Sequence, residues 1–369
     1  MWGGSPTMAR HPTEAKGAHV TGREMRAGVF TALNQMELRR LPVPAVPPGG
    51  LLLRVSACGT CGTDLRIFQH GDARVPFGQI LGHEIVGTAV EIAPGVRGFS
   101  AGDTVVVAPP KAPCGVCRFC KRGETNLCPN GRSFGYALPG GFAEYVAIPE
   151  EAMRAGVVHR VPGDSNAQVL ALTEPVACAI RGQRKVGLTA GDRVVVIGAG
   201  PVGVIHCRLA KLAGASLVIS SERRASRRAH ARGSADHVVD PSKENLGKVV
   251  QEMTNGEGAD VVIVACSSRD AQIEALTLVG RGGRINFFGG LPHGDAPLPI
   301  DTNVLHYREV MLTGTHGSTP AENVESLALL TSGKLQVADL ITNVLPLEEL
   351  RKAFESGDVD GVMKTVVRP

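Results

Sequence analysis

The sequence predicts an α/β protein with a sheet-rich domain followed by a doubly wound parallel sheet of the Rossmann type. A length of 369 residues fits two domains. Between residues 25 and 148, short β-prone runs are interrupted by Gly and Pro, which is typical of a sheet-rich domain. After Thr173, apolar runs alternate with helix-length segments, as in parallel sheets with crossover helices.

In the first part of the chain, strands are predicted over residues 51–55, 85–90 and 104–108. Gly102 and Asp103 provide a turn before the third strand, and Pro109 ends it because proline lacks a backbone N–H. In the second part, buried strands are predicted over residues 194–197, 217–219, 237–239, 261–264 and 284–288.

Predicted helices over residues 202–213 and 271–279 supply the crossovers that parallel strands require. We predict a catalytic zinc-binding domain over residues 25–176 and 320–369, and a dinucleotide-binding domain over residues 177–319. Residues 1–24 are interpreted as a flexible extension outside the fold. A strand-like segment over residues 304–315 is a candidate for sheet continuation between subunits.

The composition excludes several classes of protein. A hydrophobic content of 43% argues against intrinsic disorder, and a formal charge of +4 with only one Trp and three Tyr argues against nucleic-acid binding. The arginine-rich stretch at residues 222–232 is interpreted as a solvated helix face, with a phosphate neighbour as the alternative. No apolar run is long enough for a bilayer, and no secretory signal is recognised, so we expect a cytoplasmic protein.

A glycine-rich loop follows the predicted strand at residues 194–197 and begins a helix. Its GxGxxG pattern is the one that lets a backbone approach a pyrophosphate at a helix N-terminus. We therefore predict dinucleotide binding by a set of loop residues: Gly198, Gly200, Pro201, Val202 and Gly203.

The choice between NAD and NADP depends on residues about 20 positions further on. Glu222 can accept hydrogen bonds from both adenosine ribose hydroxyls, which favours NAD. Arg223 and Arg224 lie beside it and could hold a 2'-phosphate equally well. We predict NAD, with NADP open.

Four cysteines within fifteen residues predict a structural zinc site. Four thiolates with C-x2-C-x2-C-x7-C spacing describe a closed tetrahedral site, formed by Cys114, Cys117, Cys120 and Cys128. A reducing compartment keeps such thiols available as ligands. The alternative, a zinc ribbon that binds nucleic acid, lacks interleaved aromatic residues.

A second set of metal-ligand residues is dispersed along the chain. It contains Cys61, the pair His83 and Glu84, and Glu174. Spacing alone does not assemble these residues. Taken singly, His83 would be a structural histidine, and Cys58 with Cys61 would be a redox CxxC motif.

Together these motifs resemble the zinc-dependent medium-chain alcohol and polyol dehydrogenases, particularly the sorbitol dehydrogenase-like branch. The resemblance extends from about Met25 to the C-terminus and follows the family order of motifs. It implies a GroES-like catalytic domain and a Rossmann domain. It also implies one catalytic and one structural zinc per chain.

The resemblance further implies roles for individual residues. Cys61, His83 and Glu174 would hold the catalytic zinc, with Glu84 as a neighbour able to replace the zinc-bound water. Asp64 would orient the His83 ring. Two further implied roles lie outside this set: Cys58 is a bystander, and Lys364 reaches the cofactor pyrophosphate.

Three ligands leave one zinc position for a substrate hydroxyl, whose hydride passes to the nicotinamide. Thr63 matches the hydroxyl that relays the proton. Many relatives then have a histidine where this chain has Arg66, which cannot accept a proton. We expect Arg66 to touch substrate or cofactor, while the proton leaves through ribose and water or through His70.

The leading prediction is therefore an NAD(P)-dependent zinc oxidoreductase for a secondary alcohol of a polyol or sugar derivative. An amino-alcohol dehydrogenase of the threonine 3-dehydrogenase type, or a sugar-phosphate dehydrogenase, remains open. From another class, a zinc-stabilised redox-sensing regulator would need only the four-cysteine zinc. An inactive oligomerisation scaffold is disfavoured by the full ligand set. We expect a homodimer or homotetramer without nucleic-acid or membrane partners.

Overall fold

The computed structural model describes residues 22–292, 295–355 and 361–369. Most of the predicted extension over residues 1–24 lies outside the described residues. The described strands are, in chain order, β1 (Glu24–Ala32), β2 (Gln35–Pro42), β3 (Leu51–Gly59), β4 (Gln79–Ile80), β5 (Glu84–Ile92), β6 (Thr104–Val107), β7 (Lys111–Ala112), β8 (Arg132–Ser133), β9 (Tyr145–Ile148), β10 (Val158–Val161), β11 (Arg193–Ile197), β12 (Leu217–Ser221), β13 (His237–Val239), β14 (Ala259–Val264), β15 (Val279–Phe287), β16 (Met311–Gly314), β17 (Ile341–Pro346) and β18 (Lys364–Arg368).

The helices are α1 (Gly62–His70), α2 (Arg118–Lys121), α3 (Glu150–Arg154), α4 (Ala167–Leu170), α5 (Thr173–Lys185), α6 (Pro201–Leu212), α7 (Ala225–Arg232), α8 (Leu246–Met253), α9 (Arg269–Leu278), α10 (Thr302–Arg308), α11 (Pro320–Thr331) and α12 (Leu350–Glu355). Short 3₁₀ turns occur at Thr125–Leu127, Ala338–Leu340 and Leu347–Glu349. None of the helices in the described part of the chain has the length and apolar character needed to cross a bilayer.

The first part of the chain is built on antiparallel sheets, as its Gly- and Pro-interrupted β pattern predicts. Within the described residues, the largest sheet has the order β10-β6-β5-β3-β18-β17, with β9 also paired to β3. A smaller sheet has the order β2-β1-β4. Apolar side chains between these layers form a core that includes Phe30, Leu53, Ile85 and Phe142. This scaffold carries the segments with the predicted metal ligands at its strand ends.

The second part is a parallel sheet with the order β13-β12-β11-β14-β15-β16 among the described strands. Its central strands are almost continuous Val and Ile because helices cover both faces. The strand order reverses at β11, which lies between β12 and β14. Ligands of such sheets bind at this reversal, beyond the carboxyl ends of the strands. The predicted doubly wound sheet is confirmed, and the glycine loop lies at its switch point.

The expected strand over residues 304–315 is wrong for its first half. Residues 302–308 form α10, because the Asp301 carboxylate accepts a hydrogen bond from the Asn303 amide at 3.0 Å and so begins a helix. Glu309 has a φ of 52° and ends it. Only Met311–Gly314 remains extended, as the edge strand β16.

The C-terminal tail joins the sheet of the first part of the chain. β18 pairs in parallel with β17 and antiparallel with β3. α5 is one continuous helix across the predicted boundary at residue 176. A buried apolar cluster around α5 includes Val86 from the antiparallel sheet and Val204 from α6. The metal-ligand segments and the parallel sheet are thus packed against a common helix, while the predicted domain boundaries stay predictions.

Candidate metal centres and dinucleotide cleft

The four cysteines of the predicted structural zinc site converge in one loop. The Sγ atoms of Cys117 and Cys120 lie 3.4 Å apart, as do those of Cys114 and Cys128, and the Cys114–Cys120 separation is 4.0 Å. Zn–S bonds of about 2.3 Å in a tetrahedron would place sulfurs about 3.8 Å apart. The donor set and its spacing therefore fit a closed zinc site.

The four-cysteine loop is attached to the body of the protein at two points. Lys111 Nζ donates to the Asn126 carbonyl at 3.0 Å, and the Asn126 side chain donates to the His316 carbonyl at 2.8 Å. His316 follows the edge strand β16 of the parallel sheet. The loop therefore helps to hold a segment of the parallel-sheet half beside the antiparallel half.

Three dispersed ligand residues meet at the end of the antiparallel sheet. Cys61 precedes α1, His83 precedes β5, and Glu84 is the first residue of β5. One ligand atom from each lies within 4.8 Å of the others. Asp64 supports two of them: its Oδ2 accepts from the Cys61 amide at 2.9 Å, and its Oδ1 approaches His83 Nδ1 at 3.3 Å. The latter contact lacks good hydrogen-bond alignment, since His83 Nδ1 has no hydrogen-bond partner.

Glu84 is paired with the C-terminal strand. Its Oε1 accepts from Lys364 Nζ at 2.5 Å, and both side chains are buried. A Cβ at Gly59 would lie 1.9 Å from Glu84 Oε2, so this carboxylate requires glycine opposite it. Burial raises the pKa of Glu84 to about 7, against the opposing charge of Lys364. Glu84 Oε2 has no hydrogen-bond partner and is available to a metal ion.

The two carboxylates are arranged differently from the expectation. The tight group contains Glu84, whereas Glu174 on α5 lies outside it. Glu174 Oε1 instead accepts a hydrogen bond from Cys178 Sγ at 3.1 Å, one helical turn along α5. Glu174 is still close enough that its charge contributes to the raised pKa of Glu84. Its role as a ligand stays a prediction.

The predicted proton-relay residues lie on α1. Thr63 is half-buried in the first turn, while Arg66 and His70 are exposed. Arg66 forms an ion pair with Asp72 at 2.9 Å. Its expected contact with substrate or cofactor therefore stays a prediction, and its most direct partner within the chain is Asp72.

The glycine loop has the shape that a pyrophosphate needs. Gly198 has a φ of +98°, and a Cβ at Gly203 would lie 1.9 Å from the Gly198 carbonyl oxygen. A Cβ at Gly200 would meet only Arg227 Nη1 within 4 Å, at 3.9 Å. α6 begins immediately after Gly200 with Pro201. The open cradle and the helix N-terminus fit an anionic dinucleotide.

Glu222 lies one residue beyond β12, beside this loop. Its Oε2 accepts from the Ala199 amide at 2.9 Å, and its Oε1 accepts from the Arg224 amide at 2.9 Å. Each oxygen retains capacity for a further hydrogen bond. Arg223 is exposed, and Arg228 is bound in an ion pair with Asp240 at 2.8 Å.

Sequence reasoning missed several side chains around the first metal group. Cys178 could have been found, because it follows Glu174 by four residues and so shares its helix face. Asp72 and Arg74 follow α1 directly but carry no motif, and only the folded chain brings Tyr136 near Arg74 and His83.

Two family descriptions match the chain. Residues 47–163 match the alcohol dehydrogenase GroES-like domain, and residues 201–332 match the zinc-binding dehydrogenase domain. The predicted GroES-like and Rossmann architecture is confirmed by these matches.

Individual proteins show the same relationship. The L-threonine 3-dehydrogenase of Pyrococcus furiosus is 34% identical over 86% of this chain and 91% of its own. The D-arabitol-phosphate dehydrogenase of Enterococcus avium is 31% identical over 87% and 90%. A protein classed as a zinc-binding dehydrogenase from Sinorhizobium meliloti, solved with NADP, superposes with a TM-score of 0.87 at 30% identity, covering 94% of this chain and all of its own.

Proposed function

Because the chain belongs to the zinc-dependent medium-chain alcohol and polyol dehydrogenase family, we propose that it oxidises a secondary alcohol of a polyol or sugar derivative with NAD as hydride acceptor. Membership makes the protein an NAD(P)-dependent zinc oxidoreductase. The identity of the substrate, the preference for NAD and the roles of single residues are our proposal.

The observation that carries the proposal is the convergence of Cys61, His83 and Glu84 from two separate segments of the chain. Thiolate, imidazole and carboxylate together form a donor set suited to zinc. Cys61 and His83 would hold the catalytic ion with a carboxylate from Glu84 or Glu174. Bound zinc would act as a Lewis acid that lowers the pKa of a substrate hydroxyl.

The surrounding side chains would then orient the reactants. Asp64 fixes the Cys61 backbone and faces the His83 ring, which limits the positions of both ligands. Lys364 compensates the Glu84 charge within a buried ion pair. We propose that it also contacts the cofactor pyrophosphate when the dinucleotide is bound. The half-buried Thr63 hydroxyl would pass a proton away from the substrate.

The dinucleotide would lie along the glycine loop with its adenosine ribose against Glu222. A carboxylate at this position accepts hydrogen bonds from the ribose hydroxyls and repels a 2'-phosphate. The two amide hydrogen bonds hold Glu222 in place before cofactor binding, which supports NAD over NADP.

The amino-alcohol alternative is favoured by one observation, the 34% identity to L-threonine 3-dehydrogenase. The test is NAD and NADP reduction by zinc-replete protein with polyols, sugar acids, sugar phosphates and L-threonine. We expect turnover with polyol or sugar derivatives and NAD. Turnover with L-threonine alone would support the alternative. The absence of both hydride transfer and dinucleotide binding would contradict the proposal.

Two further parts of the proposal concern the setting of the enzyme. We infer a homodimer or homotetramer in which β16 continues the parallel sheet across the interface, since this edge strand exposes Met311. We also infer a cytoplasmic location, because the cysteines of the described chain form no disulfide.

A further inference from the structure

Two arginine side chains share one carboxylate at the end of α1, the helix that begins after Cys61. Arg66 and Arg74 share a single carboxylate, that of Asp72, at 2.9 and 2.7 Å. One positive charge is therefore left without a partner in this trio. The Asp72 side chain is only 9% exposed, while the two guanidiniums are 45% and 63% exposed. The carboxylate thus anchors two cations that face outward.

Arg74 stands one aromatic ring away from the metal-ligand histidine. Its guanidinium carbon lies 5.0 Å from the centre of the Tyr136 ring, and the Tyr136 ring centre is 6.4 Å from that of His83. A substrate with several carbon atoms can bridge such a separation. Its reacting carbon would lie at the metal, and its far end would lie at the guanidinium.

Two more basic groups, Lys111 and His316, lie within electrostatic reach of Arg74. Lys111 Nζ donates to the uncharged carbonyl of Asn126, and its pKa is lowered by burial and, in part, by the charge of Arg74. The pKa of His316 is lowered by burial and also by Lys111 and Arg74, while Glu174 opposes this change. These basic groups and Glu174 therefore lie within electrostatic reach of His316.

The extra positive charge of the Arg66 and Arg74 pair is not taken up by Glu84, the carboxylate of the metal group, because Glu84 has Lys364 as its ion-pair partner. The Arg74 guanidinium donates two hydrogen bonds to Asp72, at 2.9 and 2.7 Å, and has further N–H groups that an anion can accept from.

From this arrangement we propose that Arg74, with Arg66, binds a terminal anionic group of the substrate, a phosphate monoester or a carboxylate on a polyol chain. Guanidinium groups recognise both anions through paired N–H donors. The inference rests on the proposed function and narrows its substrate class from neutral polyols to polyol phosphates and sugar acids.

The test compares matched five-carbon substrates. For each of arabitol, xylitol and ribitol, kcat/KM is measured for the free polyol, its terminal phosphate and its aldonate. We expect at least one anionic form to exceed its neutral polyol by tenfold or more, on the order expected for a charged hydrogen bond. Raising the salt concentration should lower the anionic rates only. The series with the higher kcat/KM, phosphates or aldonates, shows which anionic group the site prefers.

Arg74→Ala should lower kcat/KM for the anionic substrates by about tenfold to a hundredfold, mainly by raising KM. The kcat/KM for neutral polyols should stay the same. Arg74→Lys should restore part of the lost kcat/KM for the anionic substrates. Arg40→Ala is the matched control, because the Arg40 side chain is 76% exposed and forms an ion pair with Glu24 at 3.7 Å. The inference would be overturned if the wild type had equal kcat/KM for neutral and anionic substrates. It would also be overturned if Arg74→Ala lowered kcat/KM equally for both.

Failure of the proposed function is distinguishable from failure of this inference. If no alcohol is oxidised, equilibrium binding of the polyol phosphates and aldonates to the zinc-loaded protein still tests the anion site. Binding that Arg74→Ala weakens would support the inference alone. No binding of either anion by the wild-type protein would overturn it.

Discussion

Single side chains decide whether the candidate catalytic site can hold a metal. Asp64 is 1% exposed and contacts the backbone of one candidate ligand and the ring of another. Its position in the first turn of α1 couples the start of that helix to His83 at the start of β5. A change at Asp64 should therefore act on metal binding although Asp64 is not itself a ligand.

We predict that Asp64→Ala weakens zinc binding at the catalytic site by about tenfold to a hundredfold, the usual effect of removing a partner of a metal ligand. Competition with a chromophoric chelator measures this affinity. Asp64→Asn keeps the shape of the side chain and an acceptor oxygen, so its zinc affinity should lie between those of the wild type and Asp64→Ala. Unchanged zinc affinity in Asp64→Ala would show that the contacts of Asp64 do not orient the ligands.

Glu222 should determine cofactor choice. Replacing it with Ala removes a charged acceptor for the ribose hydroxyls, so kcat/KM for NAD should fall by about tenfold to a hundredfold. The NADP to NAD ratio of kcat/KM should rise, because repulsion of the 2'-phosphate is lost. Glu252→Ala on the exposed face of α8 is the control. If the ratio does not change, Glu222 does not determine cofactor choice, and the neighbouring arginines would be the residues that do.

At the scale of elements, α11 is fixed to α5 through Glu322. This buried carboxylate accepts from the Thr319 amide at 2.8 Å at the start of α11. It also contacts Arg181 at 3.4 Å and Arg184 at 3.0 Å, both on α5. Because α5 carries Glu174, this attachment supports the helix that bears a candidate ligand.

Glu322→Ala should lower the free energy of unfolding by about 3 to 5 kcal/mol, because it leaves Arg181 buried without its partner. Although burial opposes it, the hydrogen bonds and arginines lower the pKa of Glu322. The contribution is therefore complete above the ordinary glutamate pKa and is lost as the pH falls through the lower folded value. Urea midpoints between pH 3 and 7 measure it. A difference between wild type and variant that grows at low pH would contradict this account.

Elements with a clear hydrophobic period could be predicted from the sequence. The Val- and Ile-rich strands β11 and β14 and the glycine loop needed only local patterns. The helix α10 was missed because its tertiary neighbours and the Asp301 cap outweigh a strand-like pattern. The position of Arg74 beside Tyr136 and His83 could not be predicted, since these side chains come from separate segments with no shared motif.

At the scale of the whole molecule, the two halves perform complementary tasks. The antiparallel half presents the candidate metal ligands at its strand ends, and the parallel half presents the glycine loop, our candidate dinucleotide site, at its switch point. The buried cluster around α5 and the contact between the four-cysteine loop and His316 join them. Hydride transfer requires this arrangement, because substrate carbon and nicotinamide must be held in contact while water is excluded.

The zinc content of three proteins tests the central claim most directly. We predict two zinc ions per chain in the wild type and one in each of Cys61→Ser and Cys128→Ser. Cys61→Ser should lose alcohol-dependent NAD reduction while keeping its melting temperature, whereas Cys128→Ser should lose thermal stability. Two zinc ions retained by Cys61→Ser, together with unchanged activity, would contradict the assignment of Cys61 and His83 to a catalytic metal centre.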